Sequence, residues 1–179
     1  MRPARHSSPS SLAPRARNPV AVQVGGPSGT LVGANDFSRA ICFEDLATGG
    51  SIIVFSDQRD LLQFVEYFTE FFNEESCGYC TPCRVGNQLL LKVLRRIRAG
   101  QGEEADLQYL EGLGDTMRLA SRCGLGQTAA NPVLCSLKNF RELYLNKIVE
   151  RADGLLPAFD LSKAVESGED LIQRKSIHL

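Results

Sequence analysis

The sequence lacks the features that mark several broad classes of protein. Its 20 Lys and Arg residues are matched by 21 Asp and Glu residues, and the net charge of -1 argues against a uniformly basic nucleic-acid-binding protein. It also lacks any run of about 18 apolar residues, which a membrane-spanning helix needs. We therefore expect neither nucleic acid nor direct membrane insertion. The two histidines, His6 and His178, lie near the chain ends, so a cysteine-dependent hydrolase would have no well-placed general base.

The beginning of the sequence has no apolar stretch of about 7–15 residues such as a secretory signal contains. We therefore expect a cytoplasmic protein, whose thiols stay reduced and are available for metal binding rather than for disulfides. Residues 1–19 are rich in Pro, Ser and Arg and contain no acidic residue. Because such a segment buries little apolar surface, it is predicted to be a disordered leader.

The remaining composition is that of a globular protein, with 43% hydrophobic and 23% charged residues. Residues 20–56 predict a small β-rich unit. Within it, VAVQVGGPSGTLV is typical of a strand, a turn and a second strand. ICFED and SIIVFS predict a further pair of strands around a turn at Thr48–Gly50. Short strands of this kind are marginally stable alone, so we expect them to pack on another element.

Residues 57–150 have apolar residues at helical spacing and predict four amphipathic helices in a bundle. Asp57 is placed to cap the first helix, and the second is predicted from about Arg84 to Ala99. Asn131–Pro132 is typical of a helix start and opens the fourth helix. Residues 151–179 are polar and predict a C-terminal tail laid along a partner. The predicted fold class is therefore α+β.

The unusual content of the sequence is its six cysteines: Cys42, Cys77, Cys80, Cys83, Cys123 and Cys135. Three of them form a C-x2-C-x2-C run within SCGYCTPC. A cubane iron–sulfur cluster needs four thiolates around a compact core, and one loop can supply three while the fourth comes from elsewhere. Structural zinc sites more often use two C-x2-C pairs about a dozen or more residues apart. The spacing therefore favours an iron–sulfur cluster over zinc.

A fourth thiolate must come from one of the three remaining cysteines. Cys123 lies at a predicted break between helices, where a loop at the end of a bundle can face the loop at Ser76–Cys83. Cys42 falls in a predicted strand, and Cys135 lies one turn into the predicted fourth helix. Free cysteines are among the residues most often buried, so both are more simply explained as core residues. Cys123 is the favoured candidate.

Four segments together resemble a known family: GGPSG, FEDLATGGSIIVF, FFNEESCGYCTPCRVGNQLL and SRCGLGQTAANPVL. They are similar to the C-terminal part of the flavin-bearing subunit of NADH dehydrogenases. That family includes the flavin subunit of respiratory complex I and the diaphorase subunits of NAD-reducing hydrogenases and NAD-dependent formate dehydrogenases. The resemblance covers about residues 20–150.

The resemblance implies a domain assignment and a ligand set. Residues 20–56 correspond to part of a β-grasp unit of the soluble-ligand-binding type, and residues 57–150 to a four-helix iron–sulfur domain. Four residues match the ligands of a single 4Fe-4S cluster: Cys77, Cys80, Cys83 and Cys123.

The resemblance also implies a function. In this family a hydride from NADH reduces FMN, and the cluster then accepts electrons one at a time. The family's flavin and dinucleotide domain precedes the matching region and is not found in this sequence. We therefore expect FMN and NAD only in that missing domain or in a partner chain. The chain would be an electron-transfer module of an NAD(H)-linked oxidoreductase, inactive alone, with other iron–sulfur and flavin subunits as partners.

One alternative is left open by the sequence. Because the catalytic domain is not found, the chain is alternatively a truncated, non-catalytic assembly or interaction protein. Its cysteines would then bind zinc or nothing.

Overall fold

The structure, a computed structural model, describes residues 18–149 and the single residue Gln173. The leader predicted for residues 1–19 lies outside the described residues except at its last two positions. The tail predicted for residues 151–179 lies outside them except at Gln173. Within residues 18–149 the chain forms a three-stranded sheet followed by six helices, which agrees with the predicted mixture of α and β structure.

The sheet contains three antiparallel strands in the order β2-β1-β3, with bounds β1 Pro19–Val24, β2 Thr30–Gly33 and β3 Ile52–Ser56. The predicted strand, turn and strand around GGPSG are confirmed. Val22 of β1 pairs with Val32 of β2, and Gly25 and Gly26 take positive φ angles of 89° and 71° in the turn between them. Glycine adopts this left-handed geometry without steric cost, which allows the chain to reverse here.

The strand predicted for ICFED is wrong, and Cys42 therefore lies in a loop. Asp45 closes this loop by accepting hydrogen bonds from the Arg39 side chain, at 2.8 Å from Nε, and from the backbone N–H of Ala40 at 3.0 Å. Phe43 is 91% exposed. Local hydrogen bonding by a carboxylate satisfies the backbone without a neighbouring strand, so the alternation of apolar residues is not sufficient to form one.

The six helices account for most of the remaining described residues, with bounds α1 Leu61–Glu75, α2 Thr81–Arg98, α3 Glu104–Ala120, α4 Gly124–Thr128, α5 Asn131–Asn139 and α6 Arg141–Leu145. Four have nine or more residues, and α4 and α6 have five each. The cap predicted at Asp57 is wrong: the side chain of Asp60 accepts from the backbone N–H of Gln63 at 3.2 Å. Asp57 instead accepts a hydrogen bond from Asn18 at 3.0 Å.

Two further helix boundaries differ from the prediction. α2 begins at Thr81 rather than near Arg84, because Pro82 stands in its first turn, where a missing N–H costs nothing. The predicted fourth helix is divided at Phe140, whose φ of −139° and ψ of 38° are not helical. The Phe140 side chain packs against the core beneath the sheet, which turns the chain between α5 and α6.

The main core lies among the helices, where side chains such as Leu90 and Leu110 are fully buried. A second core joins the sheet to the helices through Leu31, Phe55 and Leu61. The strands thus gain the packing partner that their shortness requires. None of the helices in the part of the chain that the structure describes is long and apolar enough to cross a membrane.

Candidate iron–sulfur site

The three closely spaced cysteines lie where α1 gives way to α2. α1 ends at Glu75, and Gly78 takes a φ of +75°, which turns the chain back towards the start of α2. Arg84 braces this turn by donating from Nη1 to the Gly78 carbonyl oxygen at 2.6 Å. Cys80 is the N-cap residue of α2, and Cys83 lies within its first turn. Cys77 and Cys80 therefore project from a loop, whereas Cys83 is held by a helix.

Cys83 is the most deeply buried of the cysteines, with 5% of its surface exposed. Two side chains contact its sulfur. The Ser76 hydroxyl lies 3.3 Å from Sγ, and the Asn87 amide nitrogen lies 3.4 Å from it. Asn87 is fully buried one turn further along α2. The Cys83 thiol is thus buried among hydrogen-bonding groups rather than among apolar side chains alone.

The second cysteine-bearing loop meets the first at Tyr79. α3 ends at Ala120, and Cys123 is the N-cap residue of α4. Between them, Arg122 donates from Nη1 to the Tyr79 hydroxyl at 2.8 Å, and its guanidinium carbon lies 4.9 Å from the centre of the Tyr79 ring. The contact joins residues 43 positions apart in the sequence. The expectation that these two loops face each other is therefore supported by a direct contact.

The same two loops also meet at the sulfur of Cys80. The pKa of this thiol is lowered, chiefly by the backbone N–H of Arg122 and also by that of Cys83, against the effect of burial. A lowered pKa favours the thiolate, the form that binds a metal.

Gly126 of α4 leaves the space in which the two loops come together. A Cβ atom at this position would lie 2.7 Å from Ser121 Oγ and 3.0 Å from Cys83 Cβ. Both separations are too short for ordinary contacts, so any larger residue would push the loops apart. A glycine is therefore needed for α4 to approach the start of α2.

The other two cysteines lie elsewhere in the fold. Cys135, on α5, is half-buried against the core beneath the sheet, and burial raises the pKa of its thiol. Cys42 is half-buried in the loop that precedes β3. Cys135 therefore packs against a core as expected, whereas Cys42 belongs to none of the hydrophobic cores of the described residues. Cys77 and Cys123 are both exposed, and the role of Cys123 as the fourth ligand stays a prediction.

The candidate donor set consists of four thiols, the ligands that iron–sulfur clusters use. Among residues 18–149, no group of three His, Cys, Asp or Glu side chains is placed to hold one ion. The four candidate cysteines form no such group within these residues either. Soft thiolates on two loops in contact, with N–H groups directed at a sulfur, are the arrangement that iron–sulfur clusters use.

Asn87, Ser76 and Gly126 were not found by sequence reasoning. Asn87 stands four residues after Cys83, so the two share a face of α2 once the helix starts at Thr81. A predicted helix that begins at Arg84 leaves Cys83 outside it, so it does not show that Cys83 and Asn87 share a face. An asparagine inside an otherwise good helix was the available signal, because this residue disfavours helix interiors.

A small sheet packed on helices, with a cysteine-rich loop in contact with the loop that carries Cys123, suits the class of iron–sulfur binding domains. Residues 63–147 match the family described as the NADH-ubiquinone oxidoreductase-F iron-sulfur binding region. This match confirms the resemblance seen in the motifs.

Similar proteins support the same assignment. The NAD-reducing hydrogenase HoxS subunit alpha of Cupriavidus necator is 42% identical over 159 residues, which are 88% of this chain and 26% of that protein. An NADH-quinone oxidoreductase subunit of Streptomyces coelicolor is 36% identical over 140 residues, which are 75% of this chain and 31% of that protein. The chain thus spans between a quarter and a third of the length of these relatives.

A solved structure is similar across nearly the whole chain. It is described as an NAD+-reducing NiFe-hydrogenase in the H2-reduced state, with a TM-score of 0.78 and 38% sequence identity. The similarity covers 97% of this chain and 31% of the hydrogenase chain. At this identity the likeness supports common ancestry as well as a common fold.

Proposed function

We propose that this chain is a one-electron transfer module, in which Cys77, Cys80, Cys83 and Cys123 hold a single 4Fe-4S cluster. The observation that carries the proposal is the contact between the two cysteine-bearing loops, in a domain of an iron–sulfur binding family. When bound, such a cluster accepts and releases one electron at a time.

The residues around the cysteines have separate tasks in this proposal. The N–H groups of Arg122 and Cys83 favour the thiolate of Cys80 that binds iron. Arg84 holds the Gly78 turn, and the Arg122–Tyr79 contact holds the second loop against the first. The buried position of Cys83 keeps one side of the site away from water.

The electron donor in this proposal is a reduced flavin that receives a hydride from NADH. FMN and NAD bind in another domain or in a partner chain, since residues 63–147 match a family of iron–sulfur binding regions. The partners in this proposal are other iron–sulfur and flavin subunits of an NAD-linked complex. The relatives are named as subunits of an NAD-reducing hydrogenase and of an NADH-quinone oxidoreductase. We propose a cytoplasmic location for such a complex.

We also propose a division of the chain into two structural units. Residues 20–56 form part of a β-grasp unit, and residues 57–150 form the four-helix cluster domain, with α1, α2, α3 and α5 as its four helices. The three strands all lie within residues 19–56 and the six helices all lie within residues 61–145, which supports this division.

Anaerobic reconstitution of the full chain with iron and sulfide tests the proposed function. We expect brown protein with about four iron atoms per chain and an EPR signal after reduction. Replacing Cys83 or Cys123 by serine removes a ligand and is expected to abolish the signal. The matched controls, Cys42→Ser and Cys135→Ser, are expected to retain it. Colourless protein without iron, or tightly bound zinc, would favour the assembly-protein alternative and reject the proposal.

A further inference from the structure

Asn87 is a buried polar residue whose position the packing alone does not explain. It is 0% exposed and lies inside α2, where asparagine is a poor helix former. Its Oδ1 atom is buried without a hydrogen-bond partner among the described residues. A buried oxygen without a hydrogen-bond partner lowers the stability of the folded chain. A leucine, which has the same branched shape, would not carry that cost, so any benefit of the amide comes from its nitrogen.

The Asn87 amide nitrogen has two acceptors within reach. It lies 3.4 Å from the backbone oxygen of Phe72 and 3.4 Å from Cys83 Sγ. An amide nitrogen carries two hydrogens, one for each acceptor. The reverse orientation would place Oδ1 against a carbonyl oxygen and a sulfur, both of which are electron-rich. The two neighbours therefore fix the amide with its nitrogen towards the sulfur.

Ser76 supplies a second donor to the same sulfur. Its Oγ lies 3.3 Å from Cys83 Sγ and accepts a hydrogen bond from the Gly78 N–H, also at 3.3 Å. The serine hydroxyl has one hydrogen to donate, and its other neighbour already acts as a donor. When Cys83 is a thiolate it can only accept, so the hydroxyl hydrogen is directed at the sulfur.

We propose that Asn87 and Ser76 raise the reduction potential of the cluster by donating hydrogen bonds to the Cys83 sulfur. Reduction adds one electron, and the thiolate sulfurs share the added negative charge. A donor to such a sulfur stabilises the reduced state more than the oxidised state. This inference rests on the proposed function, because it requires that Cys83 be a cluster ligand. Asn87 and Ser76 are then positioning residues that act through Cys83.

Redox titration of the reconstituted full chain, followed by EPR with dithionite as the reductant, tests this inference. Asn87→Leu keeps the branched shape of the side chain and removes the donor, and we expect about a tenfold loss in the equilibrium constant for reduction. For a one-electron couple this corresponds to a midpoint potential about 59 mV more negative. Ser76→Ala is expected to shift the potential in the same direction by a smaller amount.

Ser136→Ala is the matched control. Ser136 is a buried hydroxyl on α5 that bonds to the Val133 carbonyl oxygen, so its loss is expected to lower stability without changing the potential. If Asn87→Leu does not hold a cluster, the midpoint potential of the Ser76→Ala variant, which changes a half-buried position, tests the inference instead. Unchanged potentials in the cluster-bearing variants would overturn the inference and leave the proposed function standing. A wild-type chain that assembles no cluster would overturn both.

Discussion

At the scale of single residues, the site depends on small distances around Cys83. Its sulfur contacts Ser76 and Asn87, and its Cβ faces the backbone of Gly126. Each of these neighbours comes from a different segment: the end of α1, the body of α2, and α4. The spacing of the cysteines shows which residues bind together, but the groups that surround a sulfur depend on how these segments pack.

Gly126→Ala tests this packing. The added methyl would lie 2.7 Å from Ser121 Oγ and 3.0 Å from Cys83 Cβ, so the loops must separate. We expect the metal-free chain to lose about 1–3 kcal/mol of stability in urea denaturation, and the reconstituted chain to hold less iron.

Gly112→Ala is the control, since a Cβ there meets no atom within 4 Å. Inside α3 this change is expected to stabilise the chain by about 0.5–1 kcal/mol. Equal effects of the two substitutions would contradict the close approach at Gly126.

At the scale of elements, α1 and α2 are joined by an ion-pair network. Glu66 of α1 accepts a hydrogen bond from Arg95 at 2.9 Å and pairs with Arg98 through its other oxygen. Glu70 also pairs with Arg95, at 2.6 Å. Burial raises the pKa of Glu66, but hydrogen bonds from Arg95 and Arg98 outweigh it and leave the pKa below its ordinary value of 4.5.

Glu66→Gln is expected to make the chain about 2 kcal/mol less stable at neutral pH, because two hydrogen bonds to charged groups are weakened. A lowered folded-state pKa contributes stability above the unfolded pKa and loses it as the pH falls through the folded value. The difference in the free energy of unfolding between variant and wild type should therefore narrow as the pH falls below the ordinary value of 4.5. Urea denaturation at a series of pH values measures it.

Glu111→Gln serves as the comparison, because Glu111 pairs with Arg141 at the surface, with 46% and 44% of the two side chains exposed. Exposed pairs contribute about 1 kcal/mol or less, so little change is expected. If Glu66→Gln lost the same amount of stability at acidic pH as at neutral pH, the loss would not come from an ion pair.

At the scale of the whole molecule, α5 connects the sheet to the helices. Asn139 donates to the Leu31 carbonyl oxygen at 2.7 Å, and Asn131 donates to the Ser28 carbonyl oxygen at 2.7 Å. Cys135 and Phe140 pack against the core beneath the sheet. The β-rich unit is thus attached to the helices by side chains from α5 and its C-terminal flank.

Asn139→Ala removes the partly buried hydrogen bond to the Leu31 carbonyl oxygen of β2 and leaves that oxygen without this donor. We expect about 1 kcal/mol lower stability, seen as faster amide hydrogen exchange in residues 19–33. Asn131→Ala, whose contact is exposed to water, should have a smaller effect. If both variants exchanged like wild type, the sheet would not depend on these hydrogen bonds.

Local sequence signals predict the hairpin around GGPSG and most of the helices correctly. The hairpin is recoverable because glycines at Gly25 and Gly26 permit positive φ angles that few other residues adopt. ICFED is not recoverable, because the competing Arg39–Asp45 interaction is set by side chains six residues apart. The start of α2 differs from the prediction because the first turn of the helix accommodates Pro82.

The sequence by itself determined the kind of chemistry, since three cysteines at two-residue intervals suit thiolate ligation of a cluster whatever surrounds them. The tertiary structure alone decided which side chains face the Cys83 sulfur and which loop meets Tyr79. Those contacts link residues as far apart as Tyr79 and Arg122, 43 positions along the chain. Pairings over such distances follow from how helices pack on one another, which local propensities do not specify.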